Sequence, residues 1–360
     1  MLPPTSWASF GGRVASDVVE CVDLTAHPER LAEPGPWFVV VDFEAYGRGG
    51  RARAWRFARV SAAVPASRPV AWSGPHPRSW RSSLDRPAYE AAVETVRAHV
   101  REGTVYQVNV CRVLEAPLAG TDGGEPDARA LAARLATGNP APYAAAVHVP
   151  AASGVDPVWV VSASPELYLS LDAGALGSGP IKGTAPTADG LTAKDRAENV
   201  MITDLVRNDL QQVCEPGTVT VTDLLGVEEH PGLVHLVSRV HGRLAADVAA
   251  TPDRWARVLA ATFPPGSVSG APKSTALRLI DDLETAPRGP YCGAVGWVDG
   301  DRAELAVGIR TFWWDDGVLR FGTGAGITWG SDAAAEWRET ELKAARLVGL
   351  ASGPADDARP

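Results

Sequence analysis

Apolar positions in this chain fall into short segments of two different periods. Trp37-Phe38-Val39-Val40-Val41-Asp42 is an unbroken apolar run of strand length, and residues 56–60 read as a second strand. Tyr89, Ala92, Val93, Val96 and Val100 recur at three- and four-residue intervals, which predicts a helix over 87–102 ended by Gly103. A β-branched strand follows over 104–114, and a loop over 119–126 leads to a helix near 128–136. Strands are predicted over 143–149, 158–162 and 166–171, then a glycine-rich stretch over 172–190 and a long helix over about 193–213. Segments 218–227 and 234–244 read as an antiparallel pair joined around Pro231-Gly232. Helices over 253–261 and 271–283 flank a turn at 264–270. Strands over 294–298, 302–311 and 318–323 have tight polar links, and a helix over about 331–348 completes the pattern. Consecutive hairpins interrupted by helices predict an α+β fold: large, mainly antiparallel sheets sandwiched with outer helices, not a doubly wound parallel sheet. One domain over 1–360 is expected, with 1–86 as a short N-terminal portion and 352–360 as a disordered tail.

Composition narrows the classes. With 45% hydrophobic and 21% charged residues in 360, the chain is globular. Its net charge of −9, with no basic stripe, makes nucleic acid an unexpected partner. No apolar run approaches membrane-spanning length, and the N-terminus lacks a basic-then-apolar secretion pattern, so no membrane partner and a cytoplasmic location are expected. Cys21, Cys111, Cys214 and Cys292 are isolated, so free thiols are expected and a zinc or disulfide framework is not. Histidines are scattered too, which leaves carboxylates as metal ligands and points to Mg²⁺ if a metal is used. Of 34 basic residues only four are lysine: Lys182, Lys194, Lys273 and Lys343. Lysine differs from arginine in having an amine whose pKa can fall far enough for nucleophilic work.

Several segments are candidates for chemistry. Lys182 stands among small residues in Pro180-Ile181-Lys182-Gly183-Thr184, where it is either an exposed loop lysine or an amine presented to a small substrate. No G-x-x-x-x-G-K-[ST] loop occurs, which argues against a nucleotide-dependent enzyme. Glu336, Glu339 and Lys343 share one helix face, and Glu198 lies near the start of another helix. If those faces meet they form an oxygen-rich site for Mg²⁺; otherwise they are solvated faces. Gly322-Thr323-Gly324-Ala325-Gly326, expected between a strand and a helix, is either a nest of N–H groups for a carboxylate or a plain turn. His235 reads by itself as a core histidine. Arg310, placed on the 302–311 strand, either receives an anion or is exposed.

In order along the chain, Tyr106-Gln107-Val108-Asn109, Ser164-Pro165-Glu166, Pro180-Ile181-Lys182-Gly183-Thr184, Ala197-Glu198-Asn199 and Asp204-Leu205-Val206-Arg207-Asn208-Asp209-Leu210 resemble the chorismate-utilising enzymes. So do His235-Leu236-Val237-Ser238, the run from Gly266 to Lys273, Ile309-Arg310-Thr311, Gly324-Ala325-Gly326 and Glu336-x-x-Glu339. The resemblance is collinear over about 87–350 and implies the fold of that family. Water-adding branches resemble one another in carrying a lysine where this chain has Gln107, so hydration is disfavoured. Lys182 looks like the nucleophile of the aminodeoxychorismate synthase component I branch; anthranilate synthases, the alternative, usually have a small residue there. The resemblance implies Glu166 as general acid, and Mg²⁺ held by Glu198 and Glu336 with Glu339 in support. It places Thr184, His235, Tyr291, Arg310, Gly324, Gly326 and Lys343 in contact with the substrate, chorismate. A separate glutamine amidotransferase subunit is the implied ammonia source, because no G-x-C-x-G motif surrounds any cysteine. The implied product, 4-amino-4-deoxychorismate, leads to 4-aminobenzoate and folate. Together, acid and nucleophile argue against a silent binding subunit. Ala185 and Pro265 depart from the family's usual arginine and glycine, and the short N-terminal portion makes a bound regulatory tryptophan unexpected.

Overall fold

Residues 5–62, 71–120, 123–230 and 233–354 are described by the structure, a computed structural model. The turn Pro231-Gly232 and residues 355–360 of the expected tail lie outside them. Strands β1 (Trp7–Phe10), β2 (Arg13–Asp23), β3 (Trp37–Val41) and β4 (Ala52–Ser61) precede a two-residue β5 (Arg81–Ser82). Helix α1 (Arg86–Arg101) starts where Asp85 accepts from the Ala88 amide and Pro87 presets the first turn. Its face of Tyr89, Ala92, Val93 and Val96 is buried, each of the larger side chains adding about 1.5–3 kcal/mol. There follow β6 (Gln107–Pro117), α2 (Ala128–Gly138), β7 (Tyr143–Val149), β8 (Val158–Ser164), β9 (Leu167–Asp172), β10 (Ala175–Gly179) and β11 (Ile181–Ala185). Next come α3 (Ala193–Gln211), β12 (Thr220–His230), β13 (Leu233–Arg243), α4 (Ala246–Ala249), α5 (Arg254–Thr262), β14 (Gly270–Ala271) and α6 (Lys273–Leu283). The chain continues as β15 (Ala294–Asp299), β16 (Arg302–Val307), β17 (Thr311–Asp315), β18 (Val318–Ile327) and α7 (Ala333–Ala351).

Every strand pairing is antiparallel, and the described strands form one hydrogen-bonded network. It winds from β12 and β13 through β10, β9, β16, β15, β3, β4 and β2 to β1, then through β7, β8, β17, β18 and β6. Residues from both halves of that ribbon share a core that includes Val110, Val147, Leu169, Val240, Val295 and Ala325. The helices lie outside, so the fold is α+β with antiparallel sheets and outer helices. N-terminal strands are woven into it: β3 pairs with β15 and β1 with β7. Ser352 is buried and accepts from the Trp80 indole at 3.0 Å. Among the described residues no helix is long and apolar enough to cross a membrane.

Three sequence expectations change. The glycine-rich stretch 172–190 contains β10 and β11, because its glycines allow close packing; a Cβ on Gly177 would lie 2.7 Å from His241 Nδ1. The 302–311 strand stops at Val307, and Arg310 lies in the irregular link before β17, with φ of 53°. Gly322 to Gly326 belong to β18 rather than to a turn before a helix.

Candidate active site

Two strand-helix units face one another across the site. On one side β11 lies on β13 and leads into α3; on the other β18 lies on β6 and leads into α7. β11 carries Lys182 at an irregularity: its register against β13 shifts between Ile181 and Thr184, and Gly183 has φ of 93°. Such a bulge re-aims a side chain out of the regular alternation. Thr184 is exposed, and its hydroxyl lies 2.9 Å from Nδ1 of the buried His235 on β13. Helix α3 opens with a capping box in which Thr192 and Asp195 satisfy one another's amides. Asn199 locks that helix to the sheet, donating to the Leu236 carbonyl at 2.9 Å while Ser238 donates to its Oδ1 at 2.5 Å.

Gly322, Gly324 and Gly326 point to one face of β18, since alternate residues of a strand share a face. Other groups fill the space their side chains would take. A methyl group on Gly322 would strike the Tyr291 ring at 2.1 Å. One on Gly326 would lie 2.9 Å from Gln107 Nε2 and 3.2 Å from Lys182 Nζ. Lys182 therefore reaches across to the bare strand at Gly326, which Gln107 also borders. Gln107 is 0% exposed, and neither atom of its amide has a hydrogen-bond partner, so both are left for a polar ligand.

Around Lys182 stand carboxylates. Burial lowers the pKa of its amine; Glu198, Glu166 and Glu339 oppose that, and Lys343 adds to it. Glu166, at the crossover between β8 and β9, is buried and its Oε1 accepts from the Ile181 amide at 3.4 Å. Burial pushes its carboxyl up to about 7, against a Ser267 hydrogen bond and the charges of Lys182 and Arg310. Arg310 is held close by, its pKa lowered by burial and supported by Glu166.

From α7, Glu336 (4% exposed) comes close to Glu198 of α3, the two carboxylates sharing the Lys194 ammonium at 3.4 and 3.7 Å, and Glu339 is near enough to act on Glu198 by its charge. Burial raises the pKa of Glu198; Lys182 and Lys194 oppose this, while Glu336 and Glu339 add to it. Glu198 Oε1 is buried without a hydrogen bond. Hard carboxylate oxygens, one of them without a hydrogen bond and neighboured by the Lys194 ammonium at 3.7 Å, fit Mg²⁺, which takes one or two carboxylates and completes its shell with water or ligand oxygens. Among the described residues no three such side chains form a cage by themselves. Glu339 is paired with Lys343 at 2.6 Å, and Lys343 also donates to the Gly324 carbonyl at 3.0 Å.

Tyr291 is less directly placed than the others. It is buried over Gly322, its hydroxyl 3.8 Å from Cys111 Sγ. Ala185 is packed against Leu191, Val234 and Leu236. Two lysines that sequence reasoning gave no role contribute here. Lys194 lies 3.4 Å from Glu336 and 3.7 Å from Glu198. Lys273, from α6, holds Asp209 of α3 at 2.8 Å and the Thr262 carbonyl at 3.1 Å. The scarcity of lysine was the signal that could have found both.

The profile of the chorismate binding enzyme family matches residues 51–349. The chain belongs to that family. Within it, the chain is 36% identical over 274 residues to anthranilate synthase component 1 of Saccharolobus solfataricus, covering 72% of this chain and 61% of that protein. It is 35% identical over 304 residues to aminodeoxychorismate synthase component 1 of Klebsiella aerogenes, covering 81% and 64%. The chain thus spans less than two thirds of the length of these chorismate-family relatives. Anthranilate synthase component I from Streptococcus pneumoniae has the same fold, with a TM-score of 0.76 and 23% identity over 97% of this chain and 91% of that one.

Proposed function

We propose that this family member is a component I aminodeoxychorismate synthase, which aminates chorismate at C4 through a covalent bond to Lys182. The observation that carries the reading is the placement of Lys182: its amine lies against Gly326, which Gln107 also borders, with burial lowering its pKa and the carboxyl of Glu166 nearby. Neutral Lys182 attacks C2 of the ring and forms a C–N bond as the C4–O bond breaks. Glu166, with a pKa near 7, gives its proton to the departing hydroxyl, which leaves as water. Ammonia then adds at C4 and the lysine amine is expelled from C2, giving 4-amino-4-deoxychorismate. Gln107 has no basic group with which to activate water, which favours ammonia over hydration. Arg310, Tyr291 and the backbone at Gly324 and Gly326 orient the carboxylates of chorismate, with Lys343 also in contact with the substrate, while Thr184 and His235 border its ring and side chain. Glu198 and Glu336, supported by Glu339, would hold Mg²⁺, which when bound neutralises a substrate carboxylate. Ammonia comes in this reading from a separate glutamine amidotransferase subunit.

A second reading, amination at C2 to anthranilate, is favoured by the similarity to anthranilate synthase component 1. Mass spectrometry of products formed from chorismate, Mg²⁺ and ammonium decides between them. Aminodeoxychorismate is expected from the parent protein, with at least a hundredfold loss in Lys182→Ala. Anthranilate as the main product, undiminished in that variant, would establish the second reading instead.

A further inference from the structure

Helix α3 places Lys194 one turn before Glu198, and its amine points across to α7. Nζ lies 3.4 Å from Glu336 Oε1 and 3.7 Å from Glu198 Oε1, so one ammonium stands between the two carboxylates proposed to hold Mg²⁺. Those carboxylates are poorly solvated, with side chains 5% and 16% exposed, whereas the lysine side chain is 49% exposed. Two acids enclosed this way repel one another and need a counter-charge. The lysine has a path to solvent that the acids lack, and its flexible stem can carry the amine outward without disturbing α3. Among the described residues it has no other hydrogen bond or ion pair, and a further acidic neighbour, Glu339, is already paired with Lys343.

We propose that Lys194 is a tethered counter-ion that holds the divalent-metal site in its metal-free state and must swing out when Mg²⁺ enters. The inference rests on the reading of Glu198 and Glu336 as metal ligands, and it concerns how strongly the site competes for metal rather than which bond is made. Lys194 keeps the facing α3 and α7 carboxylates together while no metal is present, and its ejection lowers the net affinity. Metal binding is thereby tied to movement of the Lys194 side chain at the start of α3, next to the strand that carries Lys182.

The test is calorimetric titration of the whole chain with Mg²⁺ alone, without chorismate, comparing the parent with Lys194→Gln, Lys194→Arg and Glu336→Gln. Urea midpoints of the four proteins establish that each is folded. Glutamine cannot supply the competing charge, so Lys194→Gln is expected to bind Mg²⁺ about tenfold more tightly than the parent. Lys194→Arg, which retains a cation, should stay within about threefold of the parent, and Glu336→Gln should lose most binding. If Glu336→Gln abolishes binding while Lys194→Gln binds no tighter than the parent, the counter-ion role falls and the metal reading stands. Absence of Mg²⁺ binding in the parent and in Lys194→Gln would overturn both.

Discussion

Glu166 is held where the chain crosses from β8 to β9, with the Ile181 amide as its backbone donor and little access to water. Burial there raises its pKa to about 7, which is useful to an acid and costly to the fold. Below about pH 4 the carboxyl is protonated in both the folded and unfolded chain and has no net effect. As pH rises toward 7 the unfolded chain gives up this proton more readily, so stability is lost across that window. Glu166→Gln removes this liability. It should match the parent in urea unfolding at pH 4 and exceed it at pH 8 by on the order of 2–3 kcal/mol. Equal stability at pH 8 would mean that the carboxyl is not held near neutrality by its surroundings. The same substitution removes the proposed proton donor, so a more stable protein with much lower turnover is the expected combination.

Helix α3 carries Lys194, Glu198 and Asn199, and its start is fixed by the reciprocal bonds of Thr192 and Asp195. Thr192→Ala should cost about 1 kcal/mol, seen as a lower urea midpoint with an unchanged slope. No change would show that packing on β13 fixes the helix start by itself. The helix was legible in the sequence, as were α1 and α7; the apolar recurrence of Tyr89, Ala92, Val93 and Val96 and the stop at Gly103 are local signals of that kind. Glu336 and Glu339 could be put on one face from spacing alone. The strand at Lys182 and the end of β18 beyond Thr323 were not legible, for one shared reason. Glycines at Gly183, Gly322, Gly324 and Gly326 look like turn residues, yet here they admit a bulge, an aromatic ring and a lysine amine. Arg310 was misplaced on a strand because its left-handed backbone has no sequence signature in a residue that is neither glycine nor asparagine.

At the scale of the molecule, the sheet is held together through pairings such as β3 with β15 and β1 with β7, whose partners lie far apart along the chain. Such register leaves no local trace, which is why β1 and β2 have no counterpart in the sequence reading. A second feature without a sequence signature is Arg288, buried beyond α6. It is paired with Glu284 at 2.6 Å and donates to the carbonyls of Val268 and Asn109, while Glu44 accepts from its amide. One residue, through its side chain and its amide, thus joins four segments from both halves of the chain. Arg288→Met leaves Glu284 buried without its cation and should cost about 3–5 kcal/mol in global unfolding. A loss below about 1 kcal/mol would show that these segments hold without it. The distribution of lysine also has a practical side. Three of the four lysine amines border one site and the fourth is sequestered against Asp209. Amine-seeking reagents, such as aldehydes that form reversible imines, would therefore meet the site almost wherever they meet a lysine of this protein. That makes the chain a natural scaffold for lysine-directed covalent probes, with selectivity supplied by composition rather than by pocket shape.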